Sequence, residues 1–162
     1  MRAERAFARF ERWLLPLLAS LLALITAGVF VQVVLRYGFA KSFLWGEELA
    51  LFAFIWCVYL GAAICTWRRS HFAFDLFAGR LSGRAAGLQQ LVVDLCVLLV
   101  AVVMMVQGAT FAELSVQRLS PALGITLLVP TLAIPLSGGL MVLAALAALR
   151  RDLRLLLTGR AG

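Results

Sequence analysis

Residues 45–67 read WGEELALFAFIWCVYLGAAICTW. Two adjacent glutamates, Glu47 and Glu48, stand before 19 residues, 49–67, that carry no charge and no proline. A helix crossing the ~30 Å hydrocarbon core of a bilayer needs about 20 mostly apolar residues. The tryptophans Trp45 and Trp67 are separated by ~33 Å at 1.5 Å per residue, enough to put one in each interfacial layer. This stretch therefore predicts a membrane-spanning helix with two carboxylates in its first turn. The unpaired N–H groups and positive dipole end of that turn stabilise such carboxylates by about 0.3–1 kcal/mol each.

The rest of the chain agrees. Its 162 residues are 64% hydrophobic and 14% charged, with mean hydropathy +1.00. A soluble domain is about 45–50% apolar, and a chain this short cannot bury the excess. Residues 14–35 carry no charge, 85–112 carry only Asp94, and 119–149 carry none. The expected architecture is an all-α integral membrane protein, one domain with four spans at about 14–36, 46–67, 88–112 and 126–149. The first span is too long for the apolar core of a signal peptide, and no clear cleavage site follows it, so it reads as a retained helix. Ala3, Ala6, Phe7, Phe10 and Trp13 fall on one helical stripe opposite arginines and glutamates. Residues 1–13 thus read as a short amphipathic interfacial helix, the alternative being a helix continuous with the first span. Pro16 is expected in a first helical turn, where its missing N–H costs little. Pro130, Pro135, Gly138 and Gly139 predict a kink and a close helix contact in the fourth span. A broken, substrate-binding helix is the sharper alternative.

Net charge is +7, but the cations are not clustered as a nucleic-acid groove would need. Twelve of the fifteen lie before the first span, between the second and third, or after the fourth. Positive charge resists translocation, so both termini are expected in the cytoplasm, against anionic lipid. Cys57, Cys65 and Cys96 all fall inside spans and read as small core residues without a disulfide.

Few polar residues remain as candidates for chemistry. Glu47 and Glu48 serve as a helix start, or as the partners of a cation such as Arg36 or Lys41, or as a binding site for substrate or ion. His71 and Asp75 are four residues apart, which on a helix makes half a metal site at best, and a cap or surface pair otherwise. Asp94, about ten residues past Arg84, is placed near the bilayer middle, where an acid is costly. It reads as helix glue, with Thr26 or Gln32 as candidate partners, or as a proton- or ion-handling group, or as a headgroup-level residue. Glu113 and Arg118 lie in a short loop and can pair. No nucleophile–base pair, phosphate loop or zinc spacing occurs, so neither an enzyme nor a cofactor is expected.

One ordered set of motifs adds a family. Arg36-Tyr37 ends the first helix. Trp45, Glu47, Glu48 and Leu49 open the second, residues 60–63 read Leu-Gly-Ala-Ala, and His71 and Asp75 follow. This order resembles the small, DctQ-type four-helix membrane subunit of tripartite ATP-independent periplasmic (TRAP) transporters. Gly46 stands where that family often has Ser or Thr, Leu51 and Phe52 where a basic residue is frequent, and Ser70 where a Gly often precedes the histidine. The resemblance implies a bacterial inner-membrane scaffold subunit. Its partners would be a large polytopic membrane subunit and a periplasmic substrate-binding protein, in sodium-driven uptake of an organic acid. On it, Arg36, Trp45, Glu47, Glu48, Gly61, His71 and Asp75 are candidates for partner contact, packing and helix start, and small residues including Gly61, Ala62, Gly108, Gly138 and Gly139 for packing on the large subunit. The charged tail ending at Gly162 suggests an unfused subunit. Two rivals stand beside it: a small homodimeric proton-coupled exporter using Asp94, and a structural tetraspan protein without a transport role.

Overall fold

A computed structural model describes residues 2–39, 43–68 and 84–157, with side chains for 12–39, 43–68, 89 and 91–150. It is helical: α1 (Arg2–Phe39), α2 (Leu44–Arg68), α3 (Arg84–Ser115), the single turn α4 (Leu128–Thr131) and α5 (Ala133–Leu157). Four segments are long and apolar enough to cross a membrane: Arg12–Phe39, Leu44–Arg68, Leu91–Ser115 and Leu128–Arg150. Among the described residues the only extended pairing is one isolated antiparallel bridge, Leu119 to Thr126.

Two expectations about the N-terminus need correction. Arg2–Phe39 is one unbroken helix, so residues 2–13 are its first turns and not a separate element. Arg, Ala, Glu and Leu before position 16 are all strong helix formers, and nothing there ends a helix. Pro16 consequently lies inside α1. Its fixed φ is compatible with a helix, and its missing N–H leaves the Arg12 carbonyl without the usual partner four residues on. In the fourth span, where a kink is expected, α4 and α5 are separated by the single residue Leu132, which itself keeps helical angles. Pro130 and Pro135 have no N–H to give a helical ladder, and the Thr131 hydroxyl adds bonds to the carbonyls of Leu127 and Leu128, at 2.8 and 3.1 Å, which also accept the backbone N–H groups of Thr131 and Leu132.

The chain divides into two compact units. One comprises Met1–Gly61 with Phe111–Ala133, the other Ala62–Thr110 with Ile134–Gly162. In the first, Leu14, Leu18 and Phe52 are buried. Cys57 Sγ approaches the Leu18 carbonyl at 3.8 Å, and Trp56 Nε1 donates to the Val129 carbonyl at 3.2 Å. α1 is otherwise little covered: 6% of its most apolar window is buried, against 33% for the Leu128–Arg150 segment.

The second unit packs on small residues. Ala63, Ala101 and Met141 form its buried cluster. A Cβ placed on Gly138 would lie 2.7 Å from the Met105 backbone nitrogen, and one on Gly108 would lie 2.8 Å from the Ile134 side chain and 3.1 Å from the Pro135 nitrogen. These glycines let α3 and α5 approach backbone to backbone. In lipid, where tails are as apolar as leucine, such van der Waals contact drives helix association. Ser137 is fully buried on the same helix and returns its hydroxyl to the Ile134 carbonyl at 2.9 Å.

Candidate functional site

The polar groups of the first unit gather where α1 ends and α2 begins. Arg36 lies in the last turn of α1 and Glu47 in the first turn of α2, the favourable end for each charge. They form an ion pair, Arg36 Nη1 to Glu47 Oε1 at 3.1 Å, with both side chains about half exposed. Gly46 is buried beside them. A Cβ at that position would fall on the Gln32 amide nitrogen, so a serine or threonine there would have to displace Gln32. Phe43 and Trp45 meet edge to face at 6.2 Å.

Glu48 turns elsewhere. Its Oε2 accepts the backbone N–H groups of Ala122 at 3.0 Å and Leu123 at 2.8 Å, and the Ser120 hydroxyl is bonded to the same carboxylate. The loop it holds is a miniature hairpin. Ser120 N–H donates to the Ile125 carbonyl and Leu127 N–H to the Arg118 carbonyl, each at 2.8 Å, around the Leu119–Thr126 bridge. Gly124 closes the turn with φ +65, a left-handed conformation that costs glycine nothing, and donates to the Ser120 carbonyl at 3.0 Å. The Ser-Pro-x-x-Gly run at 120–124 is the sequence signal for this turn, and reading residues 119–149 as one apolar stretch passed over it.

The remaining candidates are dispersed. Asp94 is buried, is not without a partner, and is the only buried charged side chain among the described residues. It stands inside α3, Arg84–Ser115, with helix on both sides of it. Thr26 and Gln32, weighed as its partners, are engaged in the first unit: Thr26 donates to the Leu22 carbonyl at 2.8 Å, and Gln32 lies against Gly46. Gly108 and Gly138 are consumed by packing within the chain, whereas a Cβ on Gly61 would meet nothing within 4 Å. Among the described residues no ion pair joins Glu113 to Arg118, and no three metal-ligating side chains converge. His71 and Asp75 lie outside the described residues.

Two apolar grooves flank the α1–α2 pair. One, about 490 Å³, runs from Ile25 up to Arg36 and Glu47. The other, about 720 Å³, is walled by Leu24, Val31, Phe43 and Trp45, and no charged side chain lines it. Neither has the converging cations that would hold a carboxylate.

Against known proteins, residues 25–155 match the family of tripartite ATP-independent periplasmic transporters, DctQ component. The chain belongs to this family. It is therefore a multi-pass small TRAP permease subunit, of a family of transporter components and not of enzymes. This DctQ component is 32% identical over 156 residues to the isethionate TRAP transporter permease protein DctMQ of Oleidesulfovibrio alaskensis, covering 91% of the chain but only 24% of that protein. It is 28% identical over 123 residues to a protein of Haemophilus influenzae described as a TRAP transporter small permease, covering 75% of the chain and 76% of that relative. The C4-dicarboxylate TRAP transporter small permease protein DctQ of Vibrio cholerae is 29% identical over 90 residues, covering 56% of the chain and 39% of the relative.

Proposed function

We propose that this DctQ component is the membrane scaffold of a TRAP permease and does not itself hold substrate. The observation that carries the reading is the contrast between its surface and its interior. α1 offers a nearly uncovered apolar helix, while the described interior contains one buried charged group and no cationic site. An intramembrane site for an organic anion needs cations at depth. The DctMQ name and the 24% coverage of that relative support a larger membrane subunit as the partner. Gly61 and α1 are then the contact surface, and Asp94 holds helices together. The charge distribution supports both termini in the cytoplasm against anionic lipid, in a bacterial inner membrane. The α1–α2 junction and the 118–127 loop then face the periplasm, where a substrate-binding protein docks. The relatives named for isethionate and C4-dicarboxylate support a small organic anion as the transported species, with a sodium gradient as the driving force.

Reconstitution tests this. Proteoliposomes holding the chain with its large subunit are expected to take up the anion when the binding protein and inward sodium gradient are present, and the chain alone is expected to give none. Asp94→Asn is expected to retain uptake in whatever complex still assembles. Uptake by the chain alone, abolished by Asp94→Asn, would sink the scaffold reading and favour the proton-coupled exporter.

A further inference from the structure

The smaller groove beside α1 and α2 has a polarity gradient along its length. Its floor is apolar, built from Ile25, Val29 and Val33 of α1 with Leu51 and Phe54 of α2. Its mouth carries the Arg36–Glu47 pair. Tyr37 and Trp45, at the same ends of α1 and α2 as the pair, are 85% and 54% exposed, as residues of an interfacial belt would be. From Ile25 to Arg36 is ~16 Å of helix, close to the roughly 15 Å of one bilayer leaflet. A single acyl chain matches that length, and the floor of aliphatic side chains with one phenyl ring is the kind of surface on which it lies.

The mouth also specifies a headgroup. Arg36 spends one of its five N–H donors on Glu47 Oε1, leaving donors for a phosphate, and the second Glu47 oxygen can accept from an ammonium. The two opposite charges, 3.1 Å apart and half exposed, complement a headgroup with a phosphate and a primary ammonium a few bonds apart. We propose that this groove binds one phospholipid with a zwitterionic aminophosphate headgroup, its phosphate on Arg36, its ammonium on Glu47 and one acyl chain along Val33, Val29 and Ile25. The site makes no use of the larger groove, whose lining has no charged side chain.

The test uses the full chain in mild detergent mixed with equimolar phosphatidylethanolamine, phosphatidylcholine and phosphatidylglycerol, with retained lipid counted by native mass spectrometry. One phosphatidylethanolamine is expected to be retained about tenfold or more over the other two, since phosphatidylcholine has no N–H to donate and phosphatidylglycerol no cation. Arg36→Gln and Glu47→Gln should each abolish that preference. Val29→Trp fills the floor without touching the headgroup pair, and should abolish retention with the helix content unchanged. Equal retention of all three lipids, a preference for phosphatidylglycerol, or retention undiminished by Val29→Trp would each overturn the site. So would a photo-crosslinker at Val29 that captures a protein and not lipid in the assembled permease. None of these readouts depends on transport.

Discussion

Glu47 and Glu48 are neighbours in sequence with unlike partners. Glu47 meets a half-exposed guanidinium, and an ion pair of that kind contributes about 0.2–1 kcal/mol. Glu48 accepts two backbone N–H groups: that of Ala122 has no second partner among the described bonds, and that of Leu123 is shared with the Ser120 hydroxyl oxygen at 3.2 Å. Losing the carboxylate strands the Ala122 donor, which costs more than losing an exposed pair. Glu48→Ala is therefore expected to speed amide hydrogen exchange at Ala122 by about tenfold or more and at Leu123 by less, since Ser120 still accepts there, while Glu47→Ala leaves those amides unchanged. Equal effects of the two substitutions would show that Glu48 does not hold the loop. The pairing of Arg36 with Glu47 was legible in the sequence, because the two residues end and begin consecutive antiparallel spans. The clasp by Glu48 was not. Its partners are 74 and 75 positions away and are main-chain groups, which every residue but proline possesses.

At the scale of elements, charge-free length alone located the four spans, and the prolines marked the region where α4 gives way to α5. What composition could not assign was the use of each glycine. Gly138 and Gly108 look no different in sequence from Gly61, yet the first two are in backbone contact and the third is open. Gly138→Ala is expected to cost about 1–3 kcal/mol, seen as a lower thermal midpoint of the chain in detergent, because α3 and α5 must move apart. Gly61→Ala is expected to leave the midpoint unchanged or to raise it, since alanine is the better helix former by about 0.5–1 kcal/mol. A Gly61→Ala loss as large as that of Gly138→Ala would contradict the packing described. The absent boundary after Trp13 has a similar origin. An amphipathic stripe says which face prefers lipid, but only a glycine, proline or cap would interrupt the helix, and α1 continues even through Pro16.

Across the whole molecule, the excess is apolar surface. A chain whose longest helix is almost uncovered is suited to be one part of a larger membrane assembly, with lipid and a partner sharing what the fold leaves open. Replacing Gly61 by Leu belongs to this scale. It is expected to leave the isolated chain folded, with an unchanged thermal midpoint, and to weaken association with the large subunit. Unchanged association would remove Gly61 from the contact surface. The most direct measurement is co-purification: the C-terminally tagged chain, expressed together with its chromosomal neighbours, is isolated in mild detergent and its companions are identified by mass. A stoichiometric, much larger polytopic membrane protein is the expected result. A chain that purifies only with copies of itself would contradict the scaffold role and turn attention to Asp94.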